Sequence, residues 1–183
     1  MSSRSNLCAV HILALVPLLV SPPALALDED DYTTLSHVLA VGLPAVAGGI
    51  SLARDDAAGL YQLAKSEAFT LAASELLKLT VQETRPNGRD DKSFPSGHTS
   101  VSFAAAQYMQ MRGGWEYGVP AYVAASLVGY SRVRAGEHYW KDVLAGAALG
   151  IASSYYFTDK GDWAKVSVTA SPHSVHAQVS ASW

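Results

Sequence analysis

Residues 35–53, LSHVLAVGLPAVAGGISLA, run for nineteen positions with a single ionisable side chain, His37. A helix of that length and composition can cross a hydrocarbon layer, or it must be covered on every side by other helices. Its Gly and Pro weaken it as an isolated helix, so it needs neighbours. The rest of the chain supplies them. Residues 60–85 form a long candidate helix, apolar on one face and charged at Lys65, Glu67, Glu75 and Lys78. Residues 98–111 form another, ended by RGG at 112–114, and residues 116–133 a fourth with a proline near its start. Residues 138–157 form the last, whose Ala145, Gly146, Ala147, Ala148 and Gly150 permit close helix approach. RDDAAG (54–59), PNGRDDKSFPSG (86–97) and AGE (135–137) read as the connections. Charged residues are only 16% of the chain, against about 25% in soluble domains. The expected fold is therefore all-α, a bundle of five to six helices, in a membrane or very closely packed.

The two ends read differently. In residues 1–26, Arg4 precedes an apolar run from Leu7 to Val20, and ALA at 24–26 fits a small-x-small cleavage site. This predicts a signal peptide, the alternative being a retained first transmembrane helix over 7–27. Either reading makes the protein exported. The acidic run DEDD at 28–31 suits an exposed new N-terminus, and the bundle domain is expected over 27–157. In the tail, 158–183, Val, Ala and Ser alternate from 165 onward and are interrupted by SPHS, which predicts a β-hairpin or an extended segment.

Composition also excludes functions. The net charge is −3, and no basic patch is interleaved with aromatics, so nucleic acid is not an expected partner. The single cysteine, Cys8, rules out an internal disulfide and any multi-cysteine metal site.

Against this low charge, three polar clusters stand out, each at a helix end. In KLTVQETRP, Lys78 and Arg85 are seven apart, two helical turns, which puts both cations on one face before Pro86 stops the helix. In FPSGHTS, Pro95 and Gly97 shape a tight entry to a helix whose N–H groups form an anion site. Ser96 adds a hydroxyl, Gly97 lets an anion approach the backbone, and His98 sits in the first turn; plain capping by Ser96 or Thr99 is the other reading. In SRVRAGEHYWKD, Arg132 and His138 flank a turn, and His138 and Asp142 are four apart. On one helix face, Asp142 would accept from one ring nitrogen and leave the other free to attack or coordinate. A capping cluster or a metal site could use some of these residues. A metal is disfavoured by the surrounding Lys78, Arg85 and Arg132, which suit an oxyanion. Three cations, two histidines, one carboxylate and a helix N-terminus are the set that a phosphoryl group requires.

These motifs resemble the type 2 phosphatidic acid phosphatases, a family related to bacterial acid phosphatases and vanadium haloperoxidases. The family pattern is K-x6-RP, then PSGH, then SR-x5-H-x3-D. The chain carries Lys78, Arg85 and Pro86, then Pro95, Ser96, Gly97 and His98, then Ser131, Arg132, His138 and Asp142. The spacers of eight and thirty-two residues between motifs are short, so the loop over the site is trimmed. The resemblance spans about residues 35–157. It implies that His138 is the nucleophile, forming a phosphohistidine, that Asp142 orients it, and that His98 protonates the leaving alcohol and later activates water. It implies that Lys78, Arg85, Ser96, Gly97 and Arg132 hold the phosphate, with no metal and no cofactor.

The expected function is a metal-independent phosphatase outside the cytoplasm, acting on a phosphorylated lipid or a diphosphate at a membrane. A soluble periplasmic acid phosphatase acting on small phosphoesters is the alternative, and Glu67 and Glu75 fit it unless they face inward. A haloperoxidase would need a much longer chain. A non-catalytic oxyanion-binding envelope protein would not need the nucleophile and acid together.

Overall fold

The computed structural model describes residues 27–161, 163, 165–171 and 174–180; the expected signal segment 1–26 lies outside the described residues. Five helices follow one another: α1 (Glu29–Ala53), α2 (Ala57–Val81), α3 (Gly97–Gly113), α4 (Trp115–Arg134) and α5 (Trp140–Phe157). Strands β1 (Lys165–Ser171) and β2 (Ser174–Ser180) form an antiparallel hairpin with Val166 opposite Val179 and Val168 opposite Ala177. The all-α bundle and the hairpin tail both match expectation.

Three helix boundaries differ from the sequence reading. The acidic run, exposed as expected, is also the start of α1, six residues before the expected apolar stretch: Asp28 accepts from the Asp31 N–H at 2.9 Å, and the Asp31 carboxylate reaches back to the Asp28 N–H. Carboxylates are favoured there by the unpaired N–H groups of the first turn. Helix α2 stops at Val81, with Gln82 in the left-handed region at φ 44°, so Arg85 lies beyond it. The restriction that Pro86 places on the residue before it carries the chain into an extended loop, where the Ser93 N–H donates to the Glu83 carbonyl at 2.8 Å. Helix α5 begins at Trp140, two residues after His138.

Helix α3 is the central element and packs on the other four. Its buried residues include Thr99, Ser100, Ser102, Ala104, Ala105, Ala106 and Tyr108. Helix α5 lies almost on its backbone: a Cβ on Gly146 would stand 2.6 Å from the Ser96 carbonyl oxygen, and one on Gly150 2.1 Å from that of Ser100. That close approach brings Asp142, one turn before Gly146, against the start of α3. At the other end Asp56 takes Arg112 at 2.6 Å and the Trp163 indole N–H at 3.2 Å, and Trp163 packs into the core with Leu63, Tyr108 and Met109.

The outer helices present their large apolar residues outward and their small or polar ones inward. On α2 the buried positions are Gly59, Leu63, Ser66, Thr70 and Ser74, while Phe69, Leu71, Leu76 and Leu79 are exposed. On α1, Val38, Val41, Val46 and Leu52 are exposed while Ser36, Ala40, Gly48 and Ser51 are buried. Helix α1 is long and apolar enough to cross a membrane. Exposed aromatics mark both ends of the band. Tyr130, Tyr139 and Trp140 lie at one end, and Trp115, Tyr155 and Tyr156 at the other. Fifteen residues separate Trp115 from Tyr130 and Trp140 from Tyr155, about 22 Å along each helix. Glu67 does turn inward, its Oε1 buried, while Glu75 pairs with Lys78 at 2.7 Å.

Candidate active site

The three clusters meet at one end of the bundle, where α2 and α4 finish and where α3 and α5 begin. Each predicted residue is found there, although two reach it by a route other than the expected one.

His138 is buried at 2% exposure, and its Nδ1 lies 2.7 Å from the Ser93 carbonyl oxygen. A carbonyl only accepts, so Nδ1 carries the proton. Burial, then the charges of Arg132 and Arg85, hold the ring pKa down at about 3, against the partial opposing effect of the Ser93 bond. The ring is therefore neutral, with its lone pair on Nε2. That nitrogen faces Arg85, whose Nη1 is 3.4 Å away. A neutral, oriented imidazole with its lone pair beside a guanidinium has the geometry to attack a group that the guanidinium would hold.

Asp142 was expected to hold His138 directly. Its Oδ2 is 3.8 Å from Nδ1, outside hydrogen-bonding range. Instead Oδ2 accepts from the Ser93 hydroxyl at 2.5 Å and from the Tyr139 N–H at 2.9 Å. The physical reason is that His138 precedes α5 rather than riding on it, so the four-residue spacing does not stack the two side chains. Asp142 orients His138 through Ser93, whose side chain it fixes and whose carbonyl holds the ring.

Lys78 comes from the last turn of α2, and its ammonium stands over the start of α3, 3.2 Å from where a Gly97 Cβ would be. Arg85 comes from the following loop, so the helix-face argument for the pair does not apply. Asp90 grips its Nε at 2.7 Å, and that bond to Arg85 holds the Asp90 carboxyl below its usual range. Arg132 is buried at 3% exposure; its Nη1 donates to Ser36 Oγ at 3.2 Å, and its Nε is buried without a partner. An orphaned buried guanidinium donor costs free energy unless an anion meets it. Ser96 is the N-cap of α3, but its side chain makes no bond to the helix backbone. Its N–H is taken by the Asp142 carbonyl at 3.0 Å, and its hydroxyl pairs with Thr99 at 2.9 Å. The first-turn N–H groups from Gly97 on have no acceptor within the helix, which leaves them free to donate to an anion.

His98 is half-buried, with its ring packed edge-to-face on His37 of α1, centroids 4.5 Å apart. It borders a cleft of about 220 Å³ between α1, α2 and α3, lined by Ala40, Val41, Leu71, Glu75, Lys78, Gly97, His98 and Val101. His98 therefore faces a cleft whose walls are partly apolar, at Ala40, Val41, Leu71 and Val101, and partly charged, at Glu75 and Lys78.

Sequence reasoning missed Glu137 and Ser93. Glu137 is buried and binds Arg85, Arg89 and Arg132. A charged residue placed between Arg132 and His138 in a chain of low charge was a usable signal. Ser93 had none, since its decisive contact is made by its backbone.

A family model for the PAP2 superfamily matches residues 59–165. Lipid A 1-phosphatase of Porphyromonas gingivalis is 41% identical over 78 residues, 40% of this chain and 17% of that protein. Lipid A 4'-phosphatase of Helicobacter pylori is 30% identical over 129 residues, 64% of this chain and 65% of that protein. The chain thus spans less than two thirds of either relative. The crystal structure of LpxE from Aquifex aeolicus superposes with a TM-score of 0.61 at 21% identity, over 70% of this chain and 84% of that one. A transmembrane PAP2 type phosphatidylglycerolphosphate phosphatase from Bacillus subtilis gives 0.52 at 25%, over 76% and 77%. The family match runs unbroken from α2 to the first residue of β1 and takes in all three clusters, so the chain belongs to the PAP2 superfamily.

Proposed function

We propose that the protein is a phosphatase for lipid phosphate monoesters or diphosphates, working through a phosphohistidine. The observation that carries the reading is the geometry of His138: proton fixed on Nδ1 by the Ser93 carbonyl, lone pair on Nε2, and Arg85 beside it. In the first step Nε2 attacks phosphorus, and the bond from phosphorus to the leaving oxygen breaks while His98 gives that oxygen a proton. In the second, His98 takes a proton from water, the water oxygen attacks phosphorus, and the P–N bond breaks to release phosphate. Lys78, Arg85, Arg132 and the start of α3 neutralise the oxygens of the transferring group. The chemistry needs no metal or cofactor.

A lipid substrate is supported by four observations. The leaving group departs past His98, where the cleft wall is Ala40, Val41, Leu71 and Val101. The exposed apolar band between aromatic ends suits a bilayer, with aromatics at its interfaces. Small residues between the helices suit packing in lipid. The relatives named for lipid A phosphatase activity agree with that class. The same band disfavours the soluble periplasmic alternative. With an export signal at 1–26, the site end would face the periplasm, beside the headgroups of the outer leaflet.

The test is phosphate release by the protein in mild detergent with EDTA, from phosphatidate and from a soluble aryl phosphate, beside His138→Ala. Release from the lipid ester by the wild type alone supports the reading. Release by both proteins, or from neither ester, contradicts it.

A further inference from the structure

Glu137 is a buried carboxylate at the site to which the reaction described above gives no part. Its side chain is 6% exposed. Oε2 accepts from Arg85 Nη1 at 2.7 Å and from Arg132 Nη2 at 3.2 Å, and Oε1 accepts from Arg89 Nη1 at 2.9 Å. The same Arg85 Nη1 lies 3.4 Å from the His138 nucleophile. One carboxylate thus fixes the two guanidinium groups that face phosphorus. Through Arg89, which is 71% exposed, it also ties down the loop after Pro86. That loop is fastened to the same turn by the Asn87 N–H, which donates to the Gly136 carbonyl at 3.0 Å.

A buried carboxylate repels an incoming phosphate dianion, so Glu137 cannot serve as a ligand for it. Its placement makes sense only through the arginines. Three guanidinium groups this close repel one another, and the shared carboxylate offsets that repulsion while setting the angle of Arg85 and Arg132. We propose that Glu137 is a positioning residue of the phosphate pocket: it aims Arg85 and Arg132, and it lowers the positive charge enough for inorganic phosphate to leave. The release half of this assignment rests on the phosphatase reading; the effect on phosphate affinity does not. Product release sets the turnover rate of many enzymes, so the second effect bears on rate as well as affinity.

The experiment measures inorganic phosphate affinity by calorimetry, and turnover of phosphatidate, on the full chain in mild detergent. Glu137→Gln is expected to bind phosphate about tenfold more tightly and to turn over at least about tenfold more slowly, as loss of a nearby unit charge implies. Arg89→Gln is expected to bind about tenfold more weakly, and the double variant to return to within about threefold of wild type, because the two charges offset one another. A residue that merely supports the fold would lower the folded fraction and leave the affinity of the folded protein alone. Glu137→Gln with wild-type affinity and turnover overturns the proposal. If that variant does not fold, Glu137→Asp keeps the charge with a shorter reach: slowed turnover at unchanged phosphate affinity supports the assignment, and full turnover overturns it. A wild type that hydrolyses neither lipid nor aryl ester, yet shows the predicted order of phosphate affinities, contradicts the hydrolase reading and supports the role of Glu137.

Discussion

The indirect link from Asp142 to His138 makes a prediction that a direct pair would not. Ser93 hydroxyl and Asp142 carboxylate are joined at 2.5 Å, and the Ser93 carbonyl holds the imidazole at 2.7 Å, while Asp142 and the ring are 3.8 Å apart. Ser93→Ala removes one of the two donors to a fully buried carboxylate; Asp142→Ala removes the acceptor of both. A hydrogen bond to a charged group contributes about 1.5–3 kcal/mol. If that fixes the ring, its loss lowers kcat/KM by about tenfold to a hundredfold. Both substitutions break the same link, so their effects overlap, and the double variant should be no slower than the slower single one. The assay is kcat/KM for phosphatidate in mixed micelles for all four proteins, scaled to folded protein by size-exclusion chromatography. Losses that multiply in the double variant would refute the relay. So would a fully active Ser93→Ala beside an inactive Asp142→Ala, since Asp142 would then act on the ring without Ser93.

Three further expectations follow from the geometry. Gly150→Ala places a methyl group 2.1 Å from the Ser100 carbonyl oxygen and 2.8 Å from the Ala104 nitrogen, so α5 must lift from α3. Thermal unfolding should show a loss of about 3 kcal/mol or more, and an unchanged midpoint would contradict the packing. His138 has a folded pKa of about 3, below its ordinary 6.5. Between those values the unfolded chain binds the extra proton, so its share of stability is complete above about pH 6.5 and falls with pH toward 3, by at most about 1.4 kcal/mol per unit. Denaturant titrations of wild type and His138→Phe across that window should converge in slope only above it, and parallel slopes throughout would count against a buried neutral imidazole. Finally, the exposed apolar band requires the protein to stay in the membrane pellet after an alkaline carbonate wash; recovery in the supernatant would contradict a bilayer-facing band.

Most of the bundle was legible because its signals are local. Apolar segments broken by RDDAAG, PNGRDDKSFPSG, RGG and AGE predict five helices at nearly the right places, and SPHS separates two alternating runs that do pair. That the site candidates come together was legible because three motifs, each at a helix end, concentrate the charge of a chain otherwise poor in it. What spacing alone could not supply was the end of each helix. A seven-residue separation suggests one face for Lys78 and Arg85, yet α2 stops at Val81 and the loop delivers Arg85 from another direction. A four-residue separation suggests contact between His138 and Asp142, yet α5 starts at Trp140 and the contact passes to Ser93. Glu137 carried a sequence signal in its place between Arg132 and His138, but its pairing with Arg85 and Arg89, about fifty residues away, is a property of the folded chain alone.

The central claim is that phosphate passes through His138. The most direct measurement is a rapid quench of the protein with phosphate-labelled phosphatidate, followed by peptide mapping of the label. Label is expected on His138, stable to alkali and lost in acid as a P–N bond requires, and none in His138→Ala. Turnover with no trapped label at any quench time, or label on another residue, would contradict it.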